Sequence, residues 1–190
     1  MKYTLTENAM TLRDGTVLHQ IRAEEDFADV CEGDLGGWIE KESNLSQKGD
    51  CWVYKSAIVY GNAEVSGDAL ISGNACVFEN SRISDSVEIY GDAQVAGNAW
   101  VFGDAEVFGY ARVYGDATIC GEARIECYED WATLTLDGST MTLFRNAKEF
   151  GGFEVKIIDG EGRLDEFFDV VAAMKKVFVE KMEAAHNEES

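Results

Sequence analysis

The stretch Gly91-Asp-Ala-Gln-Val-Ala-Gly97-Asn-Ala-Trp-Val-Phe-Gly103-Asp-Ala-Glu-Val-Phe-Gly109 decides the fold, because one six-residue phrase recurs in it three times. Working outward, a β-branched aliphatic holds every sixth place: Val53, Val59, Val65, Ile71, Val77, Ile83, Ile89, Val95, Val101, Val107, Val113, Ile119 and Ile125. Two residues before the aliphatic stands alanine, from Ala57 to Ala123, replaced by Ser81 and Val87. Two residues after it stands glycine, from Gly61 to Gly121, with Lys55, Glu79 and Asp85 breaking the rule. The unit reads Ala-x-Val-aromatic-Gly-Asp/Asn.

In a short strand the side chains alternate, so the alanine and the aliphatic face one way and their neighbours the other. Gly-Asp and Gly-Asn are turn chemistry: glycine accepts positive φ, and Asp or Asn bonds nearby backbone. A period of six with one bend per unit predicts a parallel β-helix, whose coils stack and satisfy their backbone by inter-coil hydrogen bonds. Three units make a triangular coil of 18 residues, narrow enough inside to need alanine beside the branched residues. Residues that should then share a corner do match in kind: Asn62, Asn80, Asn98 and Asp116. Thirteen units predict about four coils, and both ends need covering.

This period resembles the hexapeptide-repeat family of left-handed parallel β-helices, although most members place glycine directly after the aliphatic and this chain places it one residue later. The segments Asp34-Leu-Gly-Gly-Trp-Ile39, Asn44-Leu-Ser-Gln47 and Gly49-Asp-Cys-Trp-Val-Tyr54 are similar to uncharacterised hexapeptide-repeat proteins of enterobacteria and their phages, often labelled acetyltransferases or phage proteins. The likeness runs from about Val17 to Ile125, with a weaker echo from Phe144 to Phe168. Left-handedness is what the resemblance implies; spacing alone leaves the hand open.

The expected organisation is mainly β: a capping segment at 1–49, the β-helix at 50–130 and a further module at 131–190. Tyr3–Thr6 and Thr16–Ile21 alternate like strands around a hairpin turn at Arg13-Asp-Gly-Thr16, and Glu24–Val30 reads as a helical turn or two. Gly33, Gly36 and Gly37 mark a tight approach before Trp38. Beyond the coils, Trp131–Leu136, Met141–Arg145 and Phe153–Ile158 read as a three-strand meander. Apolar residues at Leu164, Phe167, Phe168, Val171, Met174, Phe178 and Met182 then predict one long amphipathic α-helix.

Charge and cysteine content exclude several functions. With 16 Lys and Arg against 36 Asp and Glu, the formal charge is −20, which opposes general nucleic-acid or anionic-membrane binding. Cys31, Cys51, Cys76, Cys120 and Cys127 are an odd set with no C-x-x-C pair, unlike a disulfide framework or a zinc ribbon. No apolar run reaches the ~18 residues of a membrane span, and the first ten residues lack the layout of a secretory leader, so a cytoplasmic location is expected.

The resemblance implies acyl transfer from an acyl-CoA, with a histidine as general base between subunits. Only His19 and His186 are present and neither falls in the repeat, so His19 is the one candidate for that role. A carbonic-anhydrase site would need three histidine ligands, one more than the chain has. Asp68, Ser86, Asp104 and Glu122 share one corner, where solvated turn residues outweigh a calcium site. No cofactor and no metal are expected. The outward positions carry more information: Trp52, Tyr54, Leu70, Tyr90 and Phe108 on one face, Ile58, Tyr60, Cys76, Phe78, Ala96 and Tyr114 on the next, Trp100 and Phe102 on the third. Faces so apolar need a cover, either the flanking modules with self-association, for which the resemblance favours a homotrimer, or a host macromolecule anchored on the rings. The leading expectation is a non-enzymatic interaction module of phage or prophage type. Acyltransferase and small-molecule sequestration are the alternatives, and imitation of nucleic-acid charge is a minor variant.

Overall fold

Val53 stands beside Ile71, Val59 beside Val77 and Val65 beside Ile83, so each aliphatic pairs in parallel with the one 18 residues on. The computed structural model describes residues 1–126 in full and, beyond them, three strands as backbone. One face stacks β3 (Leu35–Ile39), β5 (Ile58–Val59), β8 (Cys76–Val77), β11 (Gln94–Val95) and β14 (Arg112–Val113). The second stacks β6 (Glu64–Val65), β9 (Arg82–Ile83), β12 (Trp100–Val101) and β15 (Thr118–Ile119), with Leu45 bridging to Val65 ahead of them. The third stacks β4 (Trp52–Val53), β7 (Leu70–Ile71), β10 (Glu88–Ile89), β13 (Glu106–Val107) and β16 (Arg124–Ile125). The result is a β-solenoid of about five turns.

The periodic residues do what their chemistry predicts. All thirteen aliphatics and the alanines two residues before them are at most 1% exposed, each buried valine or isoleucine contributing roughly 1.5–3 kcal/mol of transfer free energy. Ser81 and Val87 occupy alanine places and stay buried; the Ser81 hydroxyl donates to the Phe78 carbonyl at 2.9 Å. Glu79 and Asp85, which replace glycine, still adopt φ of +61° and +60°. Their carboxylates accept the N–H of Gly97 at 2.6 Å and of Gly103 at 2.9 Å in the next coil, bonds that offset the backbone strain. The corner column forms as expected: Asn62 donates to Asn80 at 3.1 Å, Asn80 to Asn98 at 3.1 Å, and Asn98 to Asp116 at 2.8 Å.

The count of four coils is corrected to about five, because stacking starts before Val53. Trp38 pairs with Ile58 and Leu45 with Val65, both 20 residues apart, whereas Val53 and Ile71 are 18 apart. The extra two residues lie between Leu45 and Val53, where the sequence takes eight steps instead of six, and that insertion hides the first coil from a search for strict period. A 3₁₀ turn at Glu42–Asn44 leads into it. The buried Asn44 there spends its amide on the Lys41 N–H at 2.9 Å and the Ala63 carbonyl at 2.8 Å.

The N-terminal hairpin extends the first face. β1 (Tyr3–Thr11) pairs antiparallel with β2 (Val17–Ala23), which pairs antiparallel with β3. Its turn is the expected one: Gly15 has φ +92° and Asp14 accepts the Thr16 N–H at 2.9 Å. Two side chains at the start of β1 complete the open end of the solenoid. In the second coil the carbonyls of Val65, Gly67 and Ala69 accept N–H groups from Ser46, Cys51 and Trp52 at 2.8, 3.0 and 3.0 Å. The equivalent carbonyls of the first coil, Leu45, Gly49 and Cys51, have no coil before them. Tyr3 Oη donates to Leu45 at 2.6 Å, and Lys2 Nζ to Gly49 at 3.0 Å and Cys51 at 2.8 Å. Gln47 meanwhile closes the outer edge of β1, donating to the Tyr3 carbonyl at 3.0 Å and accepting its N–H at 3.3 Å.

Glu24–Val30, expected to be helical, is instead a pair of bends closed by a Phe27–Val30 bridge, with Ala28 at φ +45°. Asp26 and Asp34 take the N–H groups of Glu32 at 2.7 Å and Cys31 at 3.0 Å, the local competition by which short acidic side chains oppose helix. After the coils, β17 (Trp131–Leu136), β18 (Ser139–Arg145) and β19 (Phe153–Ile158) form the expected antiparallel meander. The α-helix expected from Leu164 lies outside the described residues. Among the described residues no helix is long and apolar enough to cross a membrane.

Candidate functional site

Each outward side chain is placed by the strand that carries it, and the structure sorts the aromatic ones by what already touches them. Trp52, expected on an outer face, is only 2% exposed. The segment after β2 folds over it, with Phe27 edge-on at 5.3 Å and Tyr3 at 6.3 Å between ring centroids. Tyr54 is drawn under the same cover, donating to Asp29 at 2.7 Å, and burial followed by that carboxylate raises its phenol pKa.

Further along, rings stack on rings one coil apart. Tyr60 and Phe78 lie 5.2 Å apart and 4° from parallel, Tyr90 and Phe108 5.1 Å apart at 11°, separations typical of favourable aromatic pairs. Burial, and then the neighbouring Cys76, pushes the Tyr60 phenol up to about 12, and burial pushes the Cys76 thiol up to about 11 against the pull of its bond with Tyr60. Neither group ionises near neutral pH. Tyr90 donates to Glu106 at 3.1 Å; Arg124 pairs with Glu106 at 2.9 Å and covers the Phe108 ring at 5.1 Å. These four rings are therefore half-buried within a latticework of the coils themselves.

Two of the expected residues keep a more open position. Trp100 is 45% and Tyr114 60% exposed, and Phe102 packs against Trp100 at 4.7 Å, tilted by 38°. Trp100 opens the second face in the fourth coil and Tyr114 closes the first face in the fifth, so they stand on either side of the Asn98–Asp116 corner. Sequence reasoning missed Tyr110, which is 80% exposed. The signal for it was present: its corner carries Asn74 and Asp92 in the two coils before, and a tyrosine breaks that series.

The catalytic candidate His19 sits in β2, directly opposite Ile39 of the first coil and half-buried, with Nδ1 3.3 Å from the Thr6 carbonyl. Its hydrogen-bond partner is thus the backbone of β1. Asp68, Ser86, Asp104 and Glu122 fall at one corner, and Asp68 accepts the Asp50 N–H at 3.0 Å. Among the described residues no group of three or more His, Cys, Asp or Glu side chains could hold a metal ion. The buried Cys51 is in contact with Lys2 Nζ at 3.2 Å, and burial raises its thiol pKa against the opposing pull of that lysine.

No protein-family model matches the chain. Among curated proteins, it is 44% identical over 68 residues to a protein of Escherichia coli (strain K12) named uncharacterized acetyltransferase YdcK. The match takes in 32% of this chain and 21% of that protein, so the chain spans about a fifth of the relative's length. The solenoid and this partial likeness fit a hexapeptide-repeat family.

Proposed function

We propose that the protein is a non-catalytic β-helix module of the phage or prophage type, holding aromatic anchors on a rigid frame for a macromolecular partner. The observation that supports this is the pair Trp100 and Tyr114, left 45% and 60% exposed beside one corner while Trp52 is buried and Tyr60, Phe78, Tyr90 and Phe108 are half-buried. Large aromatic rings supply most of the energy of protein interfaces, and an inter-coil hydrogen-bond lattice keeps their positions fixed without an ordering cost on binding. Hydroxyl-radical footprinting read by mass spectrometry tests the reading. Trp100, Phe102 and Tyr114 are expected to be oxidised several-fold more slowly in extract of the producing cell than in dilute purified protein, while Met1, at 75% exposure, is unchanged. Equal oxidation in both samples would refute it.

The name of the partial relative favours a second reading, acyl transfer from an acyl-CoA with His19 as general base across an interface. That reading requires acyl-CoA turnover that His19→Ala abolishes.

A further inference from the structure

The corner between Trp100 and Tyr114 changes its chemistry at the level where those rings become exposed. In the earlier coils its column is neutral: Asn62, Asn80 and Asn98, each side-chain amide donating to the oxygen one level on. The column then ends in a carboxylate, Asp116. Asn98 donates to Asp116 Oδ1 at 2.8 Å, and among the described residues nothing donates to Oδ2. The ladder does not require that charge, because an asparagine oxygen would accept the Asn98 amide as Asn80 and Asn98 accept theirs. The far side of this corner is also open. A Cβ built on Gly97 would lie 2.5 Å from the Gly115 nitrogen, whereas one built on Gly115 meets nothing within 4 Å. The exposed Asp116 is thus flanked by Tyr114, two residues before it on the first face, and by Trp100, two residues after Asn98 on the second.

We infer that this corner receives a basic side chain of the partner, an arginine before a lysine, with its guanidinium on the Asp116 carboxylate and its plane against the Trp100 ring. The inference rests on the reading above, that Trp100 and Tyr114 form the partner surface, and adds the chemistry of that partner. Cations are drawn to aromatic faces, most strongly to tryptophan, and a guanidinium both stacks on a ring and forks onto a carboxylate, which an ammonium does not. Phe102 packs against Trp100 at 4.7 Å between centroids, so the indole is steadied before anything binds. A neutral partner pressed on the same rings would strip water from Asp116 without supplying a counter-charge, at a net cost. The formal charge of −20 attracts basic proteins from every side; the corner fixes where one of their cations comes to rest.

The test is a titration of the full chain with a peptide of glycine and serine around one arginine, beside the same peptide carrying neutral citrulline, followed by the indole N–H resonance of Trp100. The arginine peptide is expected to shift that resonance and the citrulline peptide to leave it in place. Asp116→Asn, which extends the column with its own residue and so spares the fold, should weaken the arginine peptide about tenfold. Asp92→Asn is the matched control: Asp92 also accepts an asparagine amide, from Asn74 at 2.9 Å, and its loss changes the net charge equally but at another corner, so binding at Trp100 should be nearly unchanged. Equal weakening by both variants would assign the attraction to overall charge and overturn the inference, as would equal shifts with both peptides or no shift with either. The footprint in cell extract separates this from the reading beneath it. Protection of Trp100 that persists undiminished in Asp116→Asn overturns the basic contact and keeps the partner surface, whereas arginine binding that responds to Asp116→Asn without any footprint upholds the corner's chemistry and refutes the earlier reading alone.

Discussion

Gly37→Ala is expected to lower the free energy of unfolding by at least about 3 kcal/mol. A Cβ at Gly37 would lie 2.5 Å from the Tyr54 carbonyl oxygen, 2.6 Å from that of Ala57 and 2.7 Å from Val53 Cγ1. Two of these atoms are backbone of the first and second coils, and neither can move without breaking the lattice between them. Gly33→Ala supplies the control: its φ is +92° but nothing lies within 4 Å of the added carbon, so it should cost only the backbone term of about 1–2 kcal/mol. Urea unfolding midpoints measure both. Equal midpoints for the two variants would mean that β3 does not press on the coils as described.

The second large effect concerns the open end. Lys2 is 3% exposed, and its Nζ spends the three donors a lysine carries on the Gly49 and Cys51 carbonyls and the Cys51 sulfur. Lys2→Ala should cost about 2–4 kcal/mol, since it strands the buried Cys51 carbonyl and takes the side-chain donor from that of Gly49. Lys2→Met retains the apolar stem but has no donor and no charge over the Phe27 ring, 5.2 Å from the Lys2 Nζ, so it should be nearly as unstable as Lys2→Ala. Recovery of wild-type stability in Lys2→Met would assign the role of Lys2 to packing and contradict the account of how the end is completed.

The two substitutions mark the boundary of what the sequence reveals. From Val53 onward every inward place is repeated coil after coil, so thirteen aliphatics report the same geometry and single exceptions such as Val87 and Glu79 do not obscure it. The first coil departs from that period by two residues, and its members Ile39 and Leu45 cannot be recognised by counting. The chemistry that completes it is less legible still. Lys2 and Tyr3 reach acceptors more than 40 positions away, and no local pattern announces a contact of that range. The helical reading of Glu24–Val30 failed for a related reason: Asp26, an acidic residue favourable to a helix start, bonds the Glu32 N–H instead and closes the segment as a loop.

The candidate surface shows the same division. Alternation along each strand assigns outward residues reliably, because a side chain beside a buried valine must point away from it. It does not reveal which outward rings remain uncovered. Trp52 and Tyr54 are outward by position and yet lie beneath Phe27 and Asp29, whose segment folds back from a different part of the chain. Tyr90 and Phe108 are held by Glu106 and Arg124, a grouping visible only once the 18-residue stacking is applied to the polar positions as well. Tyr110 could have been found by that procedure, as the residue that ends a column of Asn and Asp.

The most direct test of the central claim is native mass spectrometry of the protein purified from the cell that produces it, beside the Trp100→Ala/Tyr114→Ala double variant. The account predicts that the wild type carries a macromolecular partner, adding mass beyond any whole number of 20.9 kDa chains, and that the double variant loses that mass while keeping its unfolding midpoint. Chains without added mass, with acyl-CoA turnover that disappears in His19→Ala, would contradict it and identify the protein as an enzyme.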